Sequence, residues 1–398
     1  MLTLIAAILF LVVCTVVYDT GRGVGSLRRL PSCPECAETD APRVSIIVAA
    51  CNEENTIEAG LRSLVEQSYP HLEIVVVNDR STDRTGEILK NVARQCETLR
   101  PVEVDSLPAG WLGKNHALAQ GAALATGEIL LFTDADVRFD HSAVSRAVSV
   151  LQKENLDHLC ITFDNIGGGA LLNALIIEAS MNLLFLFKPW KAADAHSRIF
   201  TGIGAFNMVR REAYRAVGGH DALKMQVIDD VFLGKLIKRH GFTQDCLLGA
   251  GYLRVSWYAT VPEMIDGLMK NSYATFNYRP SLAVLGAGLS GILTVVPQWG
   301  MVIAEPPAQV LFGAALGVRL IALSIPMVIN GYGVRGIVAL LLTPYLICYI
   351  IIRAMAMAER RGAISWRGSV YDLAELRRQE WLFSGYFRWP WTAVAFKQ

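Results

Sequence analysis

Two carboxylates one residue apart, Asp134 and Asp136, close the apolar run in "LLFTDADVRF" at residues 130–139. Side chains of extended chain alternate between faces, so residues two apart share one. With the small Ala135 leaving that side open, the pair offers oxygen ligands to a hard divalent cation, which can bridge to the phosphates of a bound molecule. A solvated turn at a strand end is the plainer alternative, and D-x-D alone does not decide between them. Two more apolar runs end in polar groups. "VSIIVAA" leads into "CNEEN", which supplies Asn52 and Glu53, and "LEIVVVND" ends on Asp79.

The elements that must position these groups are legible around them. Each run has the length of a strand and is apolar at successive positions, as in strands buried on both faces. Between them "EENTIEAGLRSLVEQ" places Ile57, Leu61, Leu64 and Val65 at helical spacing, and "STDRTGEILKNVARQ" opens a second helix with a Ser or Thr cap expected. This alternation, over residues 43 to 250, predicts an α/β fold with a mainly parallel sheet. Such sheets bind ligands beyond the carboxyl ends of their strands. Asp79 taken alone reads as a helix cap, but the three strand ends together predict a nucleotide-diphosphate pocket.

Composition adds a membrane. Of 398 residues, 53% are hydrophobic and only 18% charged, and the apolar excess gathers at the two ends. Residues 2–18 form an unbroken apolar run at the short end of what crosses a bilayer. Arg22, Arg28 and Arg29 follow it, so the expectation is an anchor over 1–20 that leaves the following chain in the cytoplasm, with 21–42 as a linker. Segments 281–304, 308–330 and 336–358 are each long enough to span, which predicts about three transmembrane helices within 281–358. Arg319 and Arg353 lie inside two of them, where a charge must snorkel or sit at an interface. Three crossings would carry the arginine-rich tail, 359–398, to the far side, so either one segment is re-entrant or the positive-inside rule is broken. The eight cysteines read as reduced, with "CPEC" at 33–36 lacking a second pair at zinc spacing. A net charge of +1 argues against nucleic acid as a partner.

The motifs "CNEEN", "VVNDRSTDRT", "GWLGKNHAL", "TDADVRF", "TGIGAFNMVRREAYRAVGGH" and "VIDDVFLGKLIKRHG", in that order, resemble the membrane-associated family 2 glycosyltransferases, which carry a GT-A fold. Within that family the chain looks most like enzymes that glycosylate hydroxylated carotenoids and similar lipids, and "WRGSVY" at 366–371 adds to the likeness. The resemblance covers most of the chain. It implies a GT-A domain over 43–275, a divalent metal (Mn2+ or Mg2+), a nucleotide-diphosphate sugar donor with a UDP-sugar expected, a lipid acceptor, and integration in the plasma membrane. Carried over by position, Asn52, Glu53 and Asp79 hold the nucleoside. Asp134 and Asp136 form the metal motif, with Asp136 the direct ligand and Asp134 also on the donor side. Asp230 is the general base and Asp229 its acidic neighbour.

The chemistry asks for the same groups. Sugar transfer from a nucleotide diphosphate to an alcohol needs a base for the hydroxyl proton and positive charge for the departing diphosphate. One base without a carboxylate nucleophile predicts inversion at the anomeric carbon. The alternative for Asp229 and Asp230 is a dipole-favoured pair at a helix N-terminus. Lys114 contacts a donor phosphate or caps local structure; His116 and His220 are expected to be structural. Gly202 and Gly204 either let backbone approach the sugar or acceptor, or make a tight turn. One departure from the family pattern stands out. Processive and ceramide-type members show Gln-x-x-Arg-Trp downstream of the base, where this chain has "GLMKN" at 267–271, with Lys270 in place of the Arg and no Trp.

Residues 168–190, apolar but carrying Asn173, Glu178 and Asn182 and ending in Lys188, Pro189 and Trp190, read as a helix lying on the bilayer beside the active site, or as an ordinary buried helix. The expected reaction is hexose transfer, with glucose favoured, to the hydroxyl of a membrane lipid such as a hydroxy-carotenoid. Competing expectations are a polyprenyl-phosphate glycosyltransferase, which needs more cations for its acceptor; a polysaccharide synthase, which needs a pore and the missing motif; and a nucleotide-sugar-binding scaffold, which has no need of both metal carboxylates and a base.

Overall fold

The computed structural model describes residues 1–384, so residues 385–398 of the expected tail lie outside the described residues. After α1 (Leu2–Ser26), the chain alternates β1 (Val44–Ala50), α2 (Ile57–Val65), β2 (Leu72–Asp79), α3 (Thr85–Ala93), β3 (Leu99–Val104), α4 (Gly113–Leu124) and β4 (Ile129–Asp134). The four strands pair in parallel in the order β3-β2-β1-β4. On β1, Val44, Ile46, Val48 and Ala50 enter the core on one side of the sheet, while Ile47 and Ala49 enter the core on the other. Burial on both faces is why this run has no polar alternation.

The second half continues through β5 (Val137–Phe139), α5 (Ala143–Lys153), β6 (His158–Ile161), β7 (Asp164–Asn165), α6 (Ala170–Phe187), β8 (Asn207–Arg210), α7 (Arg211–Ala216), α8 (Asp229–Arg239), β9 (Gln244–Leu247) and β10 (Leu253–Val255). In the full order β3-β2-β1-β4-β8-β6-β9, only β8 runs against the rest. The α/β fold with a mainly parallel sheet is therefore as expected. The cap on α3 differs: its N-cap is Arg84, and Thr85 is spent on the neighbouring strand end, accepting from Glu53 N at 2.7 Å.

The remaining helices are α9 (Val261–Thr275), α10 (Pro280–Thr294), α11 (Val296–Ile303), α12 (Ala308–Ile329), α13 (Gly333–Ala339) and α14 (Thr343–Arg361). By length and composition three helical stretches could cross a membrane: Leu2–Ser26, Ala170–Lys191 and Ala308–Ile329. Of the three C-terminal segments expected, only the middle one is a single helix. The others are pairs bent by 41° (α10 and α11) and 55° (α13 and α14). Pro297 and Pro344 stand in the first turns of α11 and α14, where the missing N–H and the restricted preceding residue end one helix and start the next. The two internal arginines have protein partners instead of snorkelling. Arg319 pairs with the buried Glu178 of α6, which also accepts from Thr343. Arg353 pairs with Asp266 of α9 at 2.7 Å.

Three straight crossings would separate the tail from the α/β unit, and the structure joins them. After α14, β11 (Ala363–Trp366), β12 (Ser369–Asp372) and α15 (Leu373–Arg377) fold back onto that unit. The buried Lys235 of α8 donates to Glu380 Oε1 (2.8 Å), Trp381 O (2.7 Å) and Ser384 Oγ (2.9 Å).

Candidate active site

β4 ends at Asp134 and α8 begins at Asp229, which brings two pairs of carboxylates to the carboxyl edge of the sheet. Because the strand stops at Asp134, the pair Asp134 and Asp136 is joined through a turn and not by strand alternation. Ala135 is buried, and its carbonyl packs against α2 where Gly60 leaves no room for a Cβ. Asn207 of β8 donates to the Asp230 carbonyl at 3.2 Å, anchoring the start of α8 to the sheet. Gly204 lies between the two sets, since a Cβ there would sit 2.8 Å from Asp134 Oδ2 and 3.3 Å from Asp230 Oδ2. Gly202 packs on the Asp230 carbonyl. Gly204 thus serves close approach to the carboxylates, and Gly202 close approach of the backbone to the start of α8.

Lys114, at the start of α4, lies 2.8 Å from Asp134 Oδ1 and 3.5 Å from Asp229 Oδ1. Burial opposes its charge, but Asp134, Asp229 and Asp230 outweigh that and hold it protonated. Burial likewise works against the Asp134 charge, and Lys114 overrides it. Among the described residues Asp136 and Asp230 make no ion pair, although Lys114 acts on Asp230 from farther off. Asp136 is pushed up to about 7 by burial and then by Asp134 and Glu53. Asp230 is pushed up to about 7 by burial and then by Asp229, while its Oδ1 accepts from Val231 N at 2.9 Å. The first-turn position of Asp229 and Asp230 holds as well, so the helix terminus and the candidate site coincide.

His220 lies against this cluster. Tyr214 Oη accepts from His220 N at 3.0 Å, leaving its own proton for His220 Nδ1 at 2.8 Å. The Nε2 tautomer then carries the proton and faces Asp229 Oδ2 at 3.9 Å, beyond hydrogen-bond reach. Burial, then Lys114, pushes its pKa down to about 3, so the ring stays neutral. His116 packs edge-on against Trp111.

The expected nucleoside residues are at the ends of β1 and β2, each with a partner. Asn52, at φ +54°, accepts from Thr82 N at 2.8 Å. Glu53 accepts from Thr56 Oγ1 at 2.8 Å and pairs with Arg367 at 2.5 Å. Asp79 is no helix cap, being held by both arms of Arg80 at 2.8 and 3.0 Å. Lys270, on α9, stacks on Trp366 with its Nζ 3.6 Å from the ring centroid. The site residues missed from sequence are Arg80, Trp366, Arg367 and Tyr371, which line a pocket together with Asp79 and Lys114. Arg80 lies in "VVNDRSTDRT" and the other three in "WRGSVY", motifs noticed without a role for these residues.

Residues 45–218 match the family described as "Glycosyl transferase family 2". Residues 45–218 thus form a family 2 glycosyltransferase domain. It is 30% identical over 194 residues to the probable glycosyltransferase YdaM of Bacillus subtilis, covering 46% of this chain and 44% of that protein. It is 28% identical over 198 residues to the 4,4'-diaponeurosporenoate glycosyltransferase of Staphylococcus aureus, covering 48% and 50%. The chain spans about half the length of the curated relatives it matches. Among solved structures, the mannosyltransferase PcManGT from Pyrobaculum calidifontis, in complex with GDP-Man and Mn2+, matches with a TM-score of 0.56 at 20% identity over 86% of this chain and 99% of that one. The GT-A fold is therefore shared along nearly all of that glycosyltransferase.

Among the described residues no group of three or more metal-ligating side chains occurs, so Asp134 and Asp136 are not part of a closed protein cage. They suit a cation that takes one or two carboxylates and completes its shell with phosphates and water. Such a cation would relieve the repulsion from Asp134 that adds to burial in raising Asp136.

Proposed function

We propose that this protein is an inverting glycosyltransferase that moves a hexose, glucose by preference, from a nucleotide-diphosphate sugar to the hydroxyl of a membrane lipid such as a hydroxy-carotenoid. The observation that carries the reading is the meeting of Asp134 and Asp230 across Gly204 beside the charged Lys114. A carboxylate held near pH 7 is well matched to take a hydroxyl proton at neutral pH. Asp230 accepts that proton as the acceptor oxygen attacks the anomeric carbon from the face opposite the diphosphate. Lys114, fixed by Asp134 and Asp229, supplies positive charge beside the leaving group. A divalent cation on Asp134 and Asp136, Mn2+ as in the mannosyltransferase complex or Mg2+, would neutralise the diphosphate as the bond to sugar breaks.

The lipid acceptor has two supports. One is the carotenoid-related name of the staphylococcal relative. The other is α6, which is long and apolar enough to span, yet lies in the chain between β6 and β8, neighbours in one sheet. A single crossing is hard to reconcile with that connectivity, and a helix lying along the cytoplasmic face of the membrane fits it. The return of residues 363–384 to the α/β unit favours an even number of crossings after it, with a bent pair entering and leaving on one side.

The test is transfer of radiolabel from a panel of UDP- and GDP-sugars to a lipid extract by the purified protein in lipid, with Mn2+ or Mg2+. Label in the organic phase that disappears in Asp230→Asn and Asp136→Ala supports the reading. Label confined to acid-labile polyprenyl phosphate replaces the hydroxyl acceptor by a phosphate, and absence of transfer to any lipid refutes the proposal.

A further inference from the structure

One wall of the pocket comes from beyond the last apolar helix. β11 and β12 pair from Ala363↔Asp372 to Trp366↔Ser369, so Arg367 and Gly368 alone make the turn. Both have positive φ, +46° and +77°. That is the two-residue turn whose twist suits a hairpin, and its first position ordinarily goes to Asn, Asp or Gly. An Arg there is costly for the backbone and is not explained by the turn. Its contact explains it, because Nη2 lies 2.5 Å from Glu53 Oε1, at the mouth of the pocket. The hairpin is pinned at three further points. Lys270 lies over the face of Trp366, Arg80 Nη1 donates to Ser369 Oγ at 3.4 Å, and Gly113 N donates to Tyr371 Oη at 3.2 Å.

Four cations gather around this pocket, and three of them are paired with carboxylates: Arg80 with Asp79, Lys114 with Asp134 and Asp229, and Arg367 with Glu53. Lys270 rests on the Trp366 ring. Burial first, then Arg367 and Lys114, pushes its pKa down to about 7. Among the described residues Lys270 is the cation at this pocket that makes no ion pair, resting on an aromatic face instead. A dianionic or trianionic group entering between Arg367 and Lys270 would relieve their repulsion and give Arg367 an acceptor that its planar fork suits better than one carboxylate oxygen.

We propose that the hairpin Ala363–Asp372 is the diphosphate-binding wall of the donor site, with Arg367 and Lys270 receiving the phosphates and Trp366 holding Lys270 in position. This rests on the glycosyltransferase reading above. On donor binding Arg367 exchanges Glu53 for phosphate, which frees Glu53 for the nucleoside.

The experiment is calorimetric titration of the full chain in detergent with UDP, UMP, GDP and GMP in the presence of Mn2+. The wild type is expected to prefer one diphosphate to its monophosphate. In Arg367→Gln and Lys270→Gln that preference falls about tenfold, the weight of a lost charge-assisted hydrogen bond, with monophosphate binding little changed. Arg367→Lys recovers part of it. An unchanged preference in both Gln variants overturns the proposal while leaving the transferase reading intact. Parallel loss of both ligands in Arg367→Gln, not recovered in Arg367→Lys, is the mark of a collapsed hairpin and also overturns it. A wild type that binds no diphosphate sinks both readings.

Discussion

At the amino edge of the sheet, Glu73 of β2 is buried and accepts three hydrogen bonds, from Ser45 Oγ (2.5 Å), Thr126 N (2.8 Å) and Thr126 Oγ1 (2.9 Å). At the carboxyl edge of the same sheet, Asp136 and Asp230 are held near pH 7 with like charges as neighbours. Burial raises the pKa in both places. At Glu73 the donors outweigh it and the pKa falls below the ordinary value; at Asp136 and Asp230 the protein adds a second carboxylate instead. The first arrangement is what stability asks for. The second persists only where a cation or a substrate proton from outside the chain completes it.

Exchanging the roles of the two edges tests the comparison, and the largest effect belongs to Asp230. Asp230→Asn is expected to lower kcat by about 10²–10⁴, the range of a positioned general base, in the label-transfer assay. The wild-type rate should rise with pH up to about 7 and level off above it, as Asp230 loses its proton. Next comes Glu73→Ala, which strands the Ser45 hydroxyl and Thr126 N–H. It should cost about 1–3 kcal/mol by denaturant titration with kcat little changed. The sign of its pH dependence follows from a lowered native pKa: the Glu73 contribution is full above its unfolded value, near 4.5, and fades as pH falls through the lower native one. Glu73→Ala should therefore lose less stability on acidification than the wild type. The smallest effect is expected from Gly204→Ala, whose methyl would press Asp134 and Asp230 apart. A fall in kcat of about tenfold without loss of melting temperature is the expected result, since ångström-scale misplacement at a reacting centre costs rate before it costs stability.

The two edges also differ in how far they could be read beforehand. The polar ends of β1, β2 and β4 were visible because strands buried on both faces leave continuous apolar runs that stop where the polar residues begin. The proximity of Asp230 to Asp134 was not visible in spacing, because it depends on β8 inserting antiparallel beside β4 and on a glycine between two carboxylates. It came through resemblance to a family. Arg367 could not be placed beforehand, standing 314 residues from Glu53 with four apolar segments between them, two of them bent. Hydropathy located those segments but not their breaks, since a Pro in a first helical turn ends one helix and opens another without changing the average. The Glu178–Arg319 pair shows the same limit. Each charge looked costly alone in an apolar run, and only the packing of α6 on α12 makes them partners.

The central claim is that Asp230 is kept buried beside a like charge for chemistry, and melting temperature against pH in wild type and Asp230→Asn tests it most directly. A raised native pKa means that the folded state holds a proton the unfolded chain has lost, so the wild type loses stability as pH rises from about 4 to about 7. Asp230→Asn escapes that loss. The account predicts that the variant melts a few degrees above the wild type at pH 8, equals it at pH 4, and transfers no sugar. A variant that melts below the wild type at pH 8 would show that Asp230 holds the fold together, and would contradict the account.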